Sequence, residues 1–321
     1  MRRRYPASPE ELQASPLLAA WWYYTVELLP GVVARGIYAD TLPMLPRGLL
    51  RRCRPESQDC LDIGTMEGLV PILLARRGAR SVLAVDYIDH CVGKLAAVQH
   101  YYGVSFDYRS VRPMHSVGER LRRHSFDLVN LSGLLYHVYS PLALLASVRQ
   151  LLKRNGILIV SPYVTLDPAA TMDFNVGGRM WAEGNTFWFP SVALLDYILR
   201  YLRLVPIDCA FMPDSEVHDA APGRNAHIDF GKETGYLSVA CRAVDAVEED
   251  EWMRESARSS WEFRDATDWA LVRGRPESSI AYDALESPHG IDLHSAVRDR
   301  QAVRGPAGPD DGHVLTLSAT S

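Results

Sequence analysis

The central part of the chain alternates continuously apolar runs with longer segments whose apolar residues recur every three or four positions. Apolar runs of four to six residues are typical of buried parallel strands, and the longer period is typical of helices packed on a sheet. The predicted strands are 59–63, 81–86, 106–111, 126–131, 157–160, 203–209 and 236–242. The predicted helices are 68–77, 89–102, 118–123, 141–153 and 191–202. This alternation predicts an α/β fold.

Changes of composition divide the chain into three parts. Residues 1–56 are expected to form an N-terminal helical addition, in which the cluster Trp21-Trp22-Tyr23-Tyr24 lies on a helix packed against the core or, as the alternative, forms a lid over a ligand pocket. Residues 57–244 form the α/β domain, with an irregular aromatic insertion at 165–190. Residues 245–321 are acidic and then rich in Arg, Ser, Pro and Gly, which predicts a polar C-terminal tail.

The first predicted strand and helix are joined by the turn Asp62-Ile63-Gly64-Thr65-Met66-Glu67-Gly68, which is typical of nucleotide-binding sheets. Asp86 ends the second strand, where a carboxylate can accept both hydroxyls of a ribose. Dinucleotide folds and folds that bind S-adenosylmethionine (SAM) share this pair. Met66 stands in place of the middle glycine of Gly-x-Gly-x-x-Gly, and its side chain would hinder close packing of a pyrophosphate. The turn therefore favours SAM over a dinucleotide.

Composition limits the kinds of binding partner that the sequence predicts. A net charge of −5 disfavours a broadly basic nucleic-acid surface and leaves a local basic patch open. The five cysteines lack Cys-x-x-Cys spacing, so neither a zinc site nor a disulfide framework is indicated, and a cytoplasmic location is expected. No apolar run is long enough to predict a membrane span. His218 and His227 have no carboxylate partner at ligand spacing, so no metal is assigned.

Two further sequence elements, taken with the glycine turn, indicate a resemblance to a known family. The stretch Gly133-Leu-Leu-Tyr-His-Val-Tyr-Ser-Pro-Leu142 follows the fourth strand, and Trp188-Phe-Pro-Ser191 precedes a later helix. Together with the glycine turn, and over roughly residues 25–243, the chain resembles the class I SAM-dependent methyltransferases related to the tRNA wobble-uridine (CmoB-like) enzymes. The resemblance implies a Rossmann-like, seven-stranded and mostly parallel sheet with its last strand antiparallel, helices on both faces, and SAM over the carboxyl ends of strands one, two and four.

The resemblance also implies site residues. The implied cofactor-binding residues are Asp62, Gly64, Thr65, Gly68, Asp86, Tyr87, Ser110, Val111, Asn130, Leu131 and Ser132. His137 is the first candidate for a general base, with a loop-shaping histidine as the alternative, and His115 is the second. Tyr136 is placed to attract the sulfonium through its ring, or else to pack in the core. Trp181, Phe187 and Trp188 are expected to wall a substrate pocket, with plain packing of the insertion as the alternative.

The sequence departs from the wobble-uridine enzymes in ways that affect the reaction. Those enzymes hold a carboxylated SAM with a Lys in a Trp-x-Lys-Gly-Pro element and with an Arg near the C-terminus. Residues 1–56 lack that element, and the last strand begins Gly235-Tyr236-Leu237 without that Arg. We therefore expect ordinary SAM and methylation of an O or N atom of a small molecule, in bacterial specialised metabolism. The alternatives are tRNA modification, a non-catalytic SAM-binding protein and an NAD-dependent oxidoreductase, and a homodimer is left open.

Overall fold

The computed structural model describes residues 5–36, 44–88, 91–180, 184–214, 231–259, 276–283 and 289–298. The helices are α1 Pro9–Gln13, α2 Pro16–Ala19, α3 Met44–Arg52, α4 Leu69–Arg76, α5 Val92–Tyr102, α6 Val117–Arg120, α7 Pro141–Leu151, α8 Val192–Tyr201, α9 Glu251–Ser259 and α10 Leu293–Arg298. The strands are β1 Val26–Leu29, β2 Val32–Ala34, β3 Cys53–Arg54, β4 Asp59–Ile63, β5 Ser81–Asp86, β6 Asp107–Ser110, β7 Phe126–Ser132, β8 Leu152–Ser161, β9 Tyr163–Thr165, β10 Met172–Phe174, β11 Trp188–Pro190, β12 Leu204–Pro213, β13 Thr234–Ala243 and β14 Ala281–Tyr282.

One large sheet organises the α/β domain. Its strand order is β12-β13-β8-β7-β4-β5-β6, and the short β9 pairs with β13 in addition. The five strands from β8 to β6 in this order run parallel, whereas β13 is antiparallel to both of its neighbours. The prediction of a seven-stranded, mostly parallel sheet with an antiparallel last strand is confirmed. The strand order reverses between β4 and β7, which opens a crevice at their carboxyl ends.

Successive side chains along the strands point to opposite faces of the sheet, where they pack into two apolar layers. On β4, Cys60 packs with the layer that contains Ile72 of α4 and Leu95 of α5. The adjacent Leu61 packs with the layer that contains Leu144 of α7. Helices therefore cover both faces of the sheet, and the crevice lies at its carboxyl edge between the layers.

The fifth strand of the domain begins earlier than predicted. The predicted helix 141–153 and strand 157–160 leave a gap between them, but α7 ends at Leu151 and β8 starts at the next residue. Asn155 has φ 60, and the pairing of β7 with β8 shifts register between Phe126 and Leu128. The turn-forming dipeptide Asn155-Gly156 therefore lies in a bulge between the paired residues Leu152 and Ile157, and the Asn155 carbonyl accepts a hydrogen bond from the Arg242 side chain.

The N-terminal addition is only partly helical, which corrects the prediction. A hairpin of β1 and β2 follows the first two helices, and the cluster Trp21–Tyr24 between α2 and β1 is not helical. The backbone N–H groups of Tyr23 and Tyr24 donate to the Glu67 carboxylate instead of to carbonyls one turn earlier. This distant acceptor explains why a helix does not form here.

The C-terminal part is also more integrated than a polar tail. The strand β14 pairs antiparallel with β3, and the hydroxyl of the buried Tyr282 donates to Asp208 at 2.8 Å. Leu293 and Val297 of α10 join the core. Among the helices in the described ranges, none combines the length and apolar character that a bilayer span requires.

Candidate functional site

A cavity of about 230 Å³ opens at the carboxyl ends of β4, β5 and β7. It lies where the strand order reverses, the usual ligand position in open α/β sheets. Of the predicted site residues, those that line it are Asp62, Gly64, Thr65, Asp86, Tyr87, Asn130, Ser132, Tyr136 and His137. The structure thus brings together the ends of three strands that the sequence analysis assigned to one site.

Asp62 and Asn130 form the floor of the cavity. They are paired across β4 and β7, and the Asn130 amide donates to the Asp62 carboxylate at 2.7 Å. Ser132 in turn donates to the Asn130 side-chain oxygen at 2.7 Å. Burial raises the pKa of Asp62 to about 6, against the opposing effect of the Asn130 hydrogen bond. The Thr65 side chain is buried on the same wall, and a hydrogen bond from it likewise lowers the pKa of Asp62 against the effect of burial.

Asp86 ties the end of β5 to the glycine turn. One carboxylate oxygen accepts the Met66 N–H at 2.8 Å, and the other accepts those of Tyr87 and Ile88 at 2.7 and 3.1 Å. Gly64, at φ 85, donates its N–H to the Val85 carbonyl at 2.8 Å. Burial raises the pKa of Asp86, although these backbone donors oppose the shift. The carboxylate is therefore held in a fixed orientation on the cavity wall.

Four of the predicted cofactor residues do not line the cavity. Val111 and Leu131 are buried in the core, Ser110 is exposed on β6, and Gly68 packs against other side chains. A Cβ added at Gly68 would lie 2.9 Å from Leu95 and 3.0 Å from Phe106. These four therefore lie outside the cavity lining, and Gly68, at φ 81, is required by its backbone and by helix packing.

Gly68→Ala is expected to lower the free energy of unfolding by about 2 to 4 kcal/mol, because a left-handed backbone and an overpacked contact both cost energy. Gly103→Ala is the matched control, since Gly103 also has positive φ but an added Cβ would meet no atom within 4 Å. The control should lose only about 1 to 2 kcal/mol. Urea unfolding measures both, and equal losses would show that the Leu95 and Phe106 contacts contribute nothing.

The loop after β7 places His137 and Tyr136 at the cavity. His137 Nδ1 lies 2.9 Å from the backbone carbonyl of Asn185, which belongs to the insertion. A carbonyl oxygen only accepts hydrogen bonds, so Nδ1 carries the proton and Nε2 is the basic nitrogen. The buried Tyr136 ring lies 4.5 Å from the His137 ring. This arrangement provides an oriented base beside aromatic surface.

The other predicted chemical residues lie elsewhere. His115 is exposed, does not line the cavity, and follows β6 on a short 3-10 helix. Phe187 and Trp188 contact Tyr139 and Phe174 outside the cavity, with ring centroids 4.4 Å apart for Tyr139–Phe187 and 4.8 Å apart for Phe174–Trp188. The structure therefore does not bring His115, Phe187 and Trp188 to the cavity lining. Trp181 lies outside the described residues.

Several lining residues were not predicted as site residues. Trp21, Tyr23, Tyr24 and Pro46 come from the N-terminal addition, and Tyr236 comes from β13. The aromatic cluster was the available signal, and its lid alternative fits this placement better than a core helix. No Lys or Arg belongs to the lining among the residues described, where the ionisable groups besides tyrosines are Asp62, Asp86 and His137. The part of the cavity wall formed by described residues is therefore aromatic and carries no Lys or Arg.

Comparison with known proteins agrees with this architecture. Residues 38–197 match a family model described as a methyltransferase domain. The tRNA U34 carboxymethyltransferase of Chromohalobacter salexigens is 30% identical over 168 residues, which are 52% of this chain and 48% of the relative. The ubiquinone biosynthesis O-methyltransferase of Actinobacillus pleuropneumoniae is 26% identical over 147 residues, 45% of this chain and 60% of the relative. The chain spans about half the length of the carboxymethyltransferases it matches.

A solved structure shares the fold. The putative sarcosine dimethylglycine methyltransferase from Galdieria sulphuraria has a TM-score of 0.51 at 13% identity, over 66% of this chain and 95% of that chain. The fold and the matched family model together define a class I SAM-dependent methyltransferase domain. In sequence, this domain resembles the tRNA U34 carboxymethyltransferases in particular.

Proposed function

We propose that the protein transfers a methyl group from SAM to an oxygen or nitrogen atom of a small, uncharged acceptor. The observation that carries the proposal is the cavity wall, which combines the rings of Trp21, Tyr23, Tyr24, Tyr136 and Tyr236 with no Lys or Arg among its described residues. Concave, mainly apolar sites with a few placed polar groups are typical of small-molecule binding.

The residues present fit SAM as the cofactor. When bound, SAM supplies an electrophilic methyl group on a sulfonium. Asp86 has one carboxylate oxygen with a single backbone donor, so this side chain would accept ribose hydroxyls. The buried Thr65 hydroxyl provides a polar group on the wall, and Gly64 lets the turn approach without a side chain. Aromatic rings favour a cation such as a sulfonium.

His137 is proposed as the general base. Where the acceptor is a hydroxyl, its proton moves to Nε2, and the positive charge then formed on the ring is stabilised by the hydrogen bond from Nδ1 to the Asn185 carbonyl. Tyr136 and the rest of the aromatic wall exclude water and orient the acceptor for in-line displacement. These residues account for positioning and proton transfer, which is most of what the reaction requires from a protein.

Thermal unfolding tests the cofactor. S-adenosylhomocysteine at about 100 times its dissociation constant is expected to stabilise the protein by about 2.7 kcal/mol, seen as a raised melting temperature. NAD at the same concentration is expected to leave the melting temperature unchanged. Stabilisation by NAD alone would contradict the proposal and favour an oxidoreductase.

The similarity to tRNA U34 carboxymethyltransferases favours a second candidate, modification of tRNA. A transferred carboxymethyl group and a tRNA backbone are both anionic, and no cation lines the cavity within the described residues. Filter binding of total tRNA from 50 to 200 mM salt separates the candidates, because phosphate contacts give a steep salt dependence. Tight retention of tRNA at physiological salt would support the second candidate over the first.

The compartment is inferred from cysteine chemistry. All five cysteines are free and buried. Burial raises the pKa of Cys53 and of Cys91 to about 12, so these thiols are unreactive. Free thiols of this kind support a cytoplasmic protein.

A further inference from the structure

The extended segment Trp21–Tyr24, here called the strap, borders the cofactor cavity. Trp21, Tyr23 and Tyr24 line the cavity, whereas the strap residue Trp22 is buried in the core and its indole N–H donates to the Leu17 carbonyl at 3.0 Å. Trp21 is half exposed, so little apolar packing fixes the outer end of the strap. Trp22 and Tyr24 pack on the core, and polar contacts hold the backbone of the strap on the side of Trp21 and Tyr23.

Those contacts converge on a buried ion pair. Glu67 Oε1 accepts the Lys94 ammonium at 2.6 Å and the Tyr23 N–H at 2.9 Å, and Oε2 accepts the Tyr24 N–H at 3.3 Å. Lys94 Nζ also donates to the Trp21 carbonyl at 2.8 Å. Lys94 Nζ lies 5.3 Å from the Trp21 ring centroid and 5.1 Å from that of Trp22. Three of the four strap residues thus have a backbone group bound to this pair.

The buried ion pair contributes little net free energy to the stability of the fold. The Glu67 side chain is fully buried and that of Lys94 is 6% exposed, and desolvating such charges offsets most of their attraction. Glu67 also belongs to the glycine turn, next to Met66, whose N–H donates to Asp86. The pair therefore connects the strap to the residues that face the cofactor.

We propose that Glu67 and Lys94 are positioning residues that hold the strap over the cofactor cavity, and that the seated strap slows the exit of the cofactor. The inference rests on the proposed function only in that the cavity holds a sulfonium nucleoside. Release of the strap frees Trp21, Tyr23 and Tyr24 from the cavity wall and opens it to solvent. The two side chains act through the strap and touch no reacting atom.

Hydrogen exchange of the full chain tests whether the Glu67–Lys94 pair holds the strap, and the experiment needs no methyl acceptor. In Lys94→Met, the amides of Tyr23 and Tyr24 are expected to exchange about tenfold faster or more, because Glu67 is left as an unpaired buried charge. Lys153→Met is the matched control: Lys153 pairs with the buried Asp127 at 2.7 Å at the amino ends of the strands, away from the cavity. That control is expected to change strap exchange by less than about twofold.

A double variant separates positioning from stability. Glu67→Leu with Lys94→Met removes both charges, so the melting temperature is expected to recover relative to Lys94→Met. Strap exchange stays fast, since no side-chain acceptor remains for the two tyrosine N–H groups. Recovery of slow strap exchange together with the melting temperature would overturn the proposal in favour of a purely structural pair.

Dissociation of S-adenosylhomocysteine, followed by stopped flow, tests the effect on the cofactor. The rate constant is expected to rise about tenfold in the double variant and to stay within about twofold in Lys153→Met. If the strap exchanges fast in the double variant but the dissociation rate constant is unchanged, the strap does not slow the exit of the cofactor, and that part of the proposal is wrong. If the unaltered protein does not bind S-adenosylhomocysteine, the proposed function fails. Strap exchange in the ligand-free variants still decides whether the Glu67–Lys94 pair holds the strap.

Discussion

His137→Gln is expected to lower kcat for methyl transfer to a hydroxyl acceptor about 100-fold or more, the usual effect of losing a general base. The dissociation constant of S-adenosylhomocysteine is expected to stay within about twofold, because the imidazole is assigned to the acceptor and not to the cofactor. His137 lines the cavity, and the hydrogen bond between its Nδ1 and the Asn185 carbonyl leaves Nε2 as the basic nitrogen of the ring. Labelled SAM and the acceptor used by the unaltered protein measure the rate, and isothermal titration measures the affinity.

His115→Gln is the matched control for this substitution. His115 is exposed and lies outside the cavity lining, so its replacement is expected to change kcat by less than about twofold. Equal losses in the two variants would remove His137 from the mechanism. A loss confined to His137→Gln but below about fivefold would indicate an acceptor, such as a neutral amine, that needs no base.

Asp86→Ala is expected to weaken binding of S-adenosylhomocysteine about 100-fold, since charge-assisted hydrogen bonds to two ribose hydroxyls would be lost. The side chain is buried on the cavity wall, where three backbone N–H groups orient it. Asp107→Ala on the neighbouring strand β6 removes an exposed carboxylate and is expected to leave the affinity unchanged. Isothermal titration gives both values, and the melting temperatures show whether each variant remains folded.

The two Asp variants distinguish a cofactor contact from a structural carboxylate. If Asp86→Ala lowers the melting temperature but binds S-adenosylhomocysteine normally, the carboxylate serves only to cap the turns at Met66 and Tyr87. That outcome would also remove the main reason for placing a ribose at the end of β5.

The strands of the sheet were predictable because a short run of consecutive apolar residues marks each of them. Continuous apolar runs bounded by polar turns gave β4 and β5 with the observed ends, and the acid at the end of β5 does line the cavity. Face selection was less predictable. Val111 and Leu131 also lie at strand ends, but their side chains turn into the core, which depends on register and packing.

The strap and the bulge in β8 depend on distant partners. Tyr23 and Tyr24 lack a helix because their N–H groups bond to Glu67, more than 40 residues away, and no local pattern reveals that acceptor. Asn155 adopts a turn conformation, as its type predicts, but within a strand paired to β7. Local preference set the conformation, and tertiary contacts set the element to which it belongs.

The proposed base His137 is oriented by the main chain of the insertion, which has consequences for redesign. Because the acceptor for Nδ1 is the carbonyl of Asn185, side-chain replacement at that position preserves the contact. Grafting an insertion of another length would redirect the imidazole while reshaping the pocket, so altered selectivity would arrive together with impaired turnover.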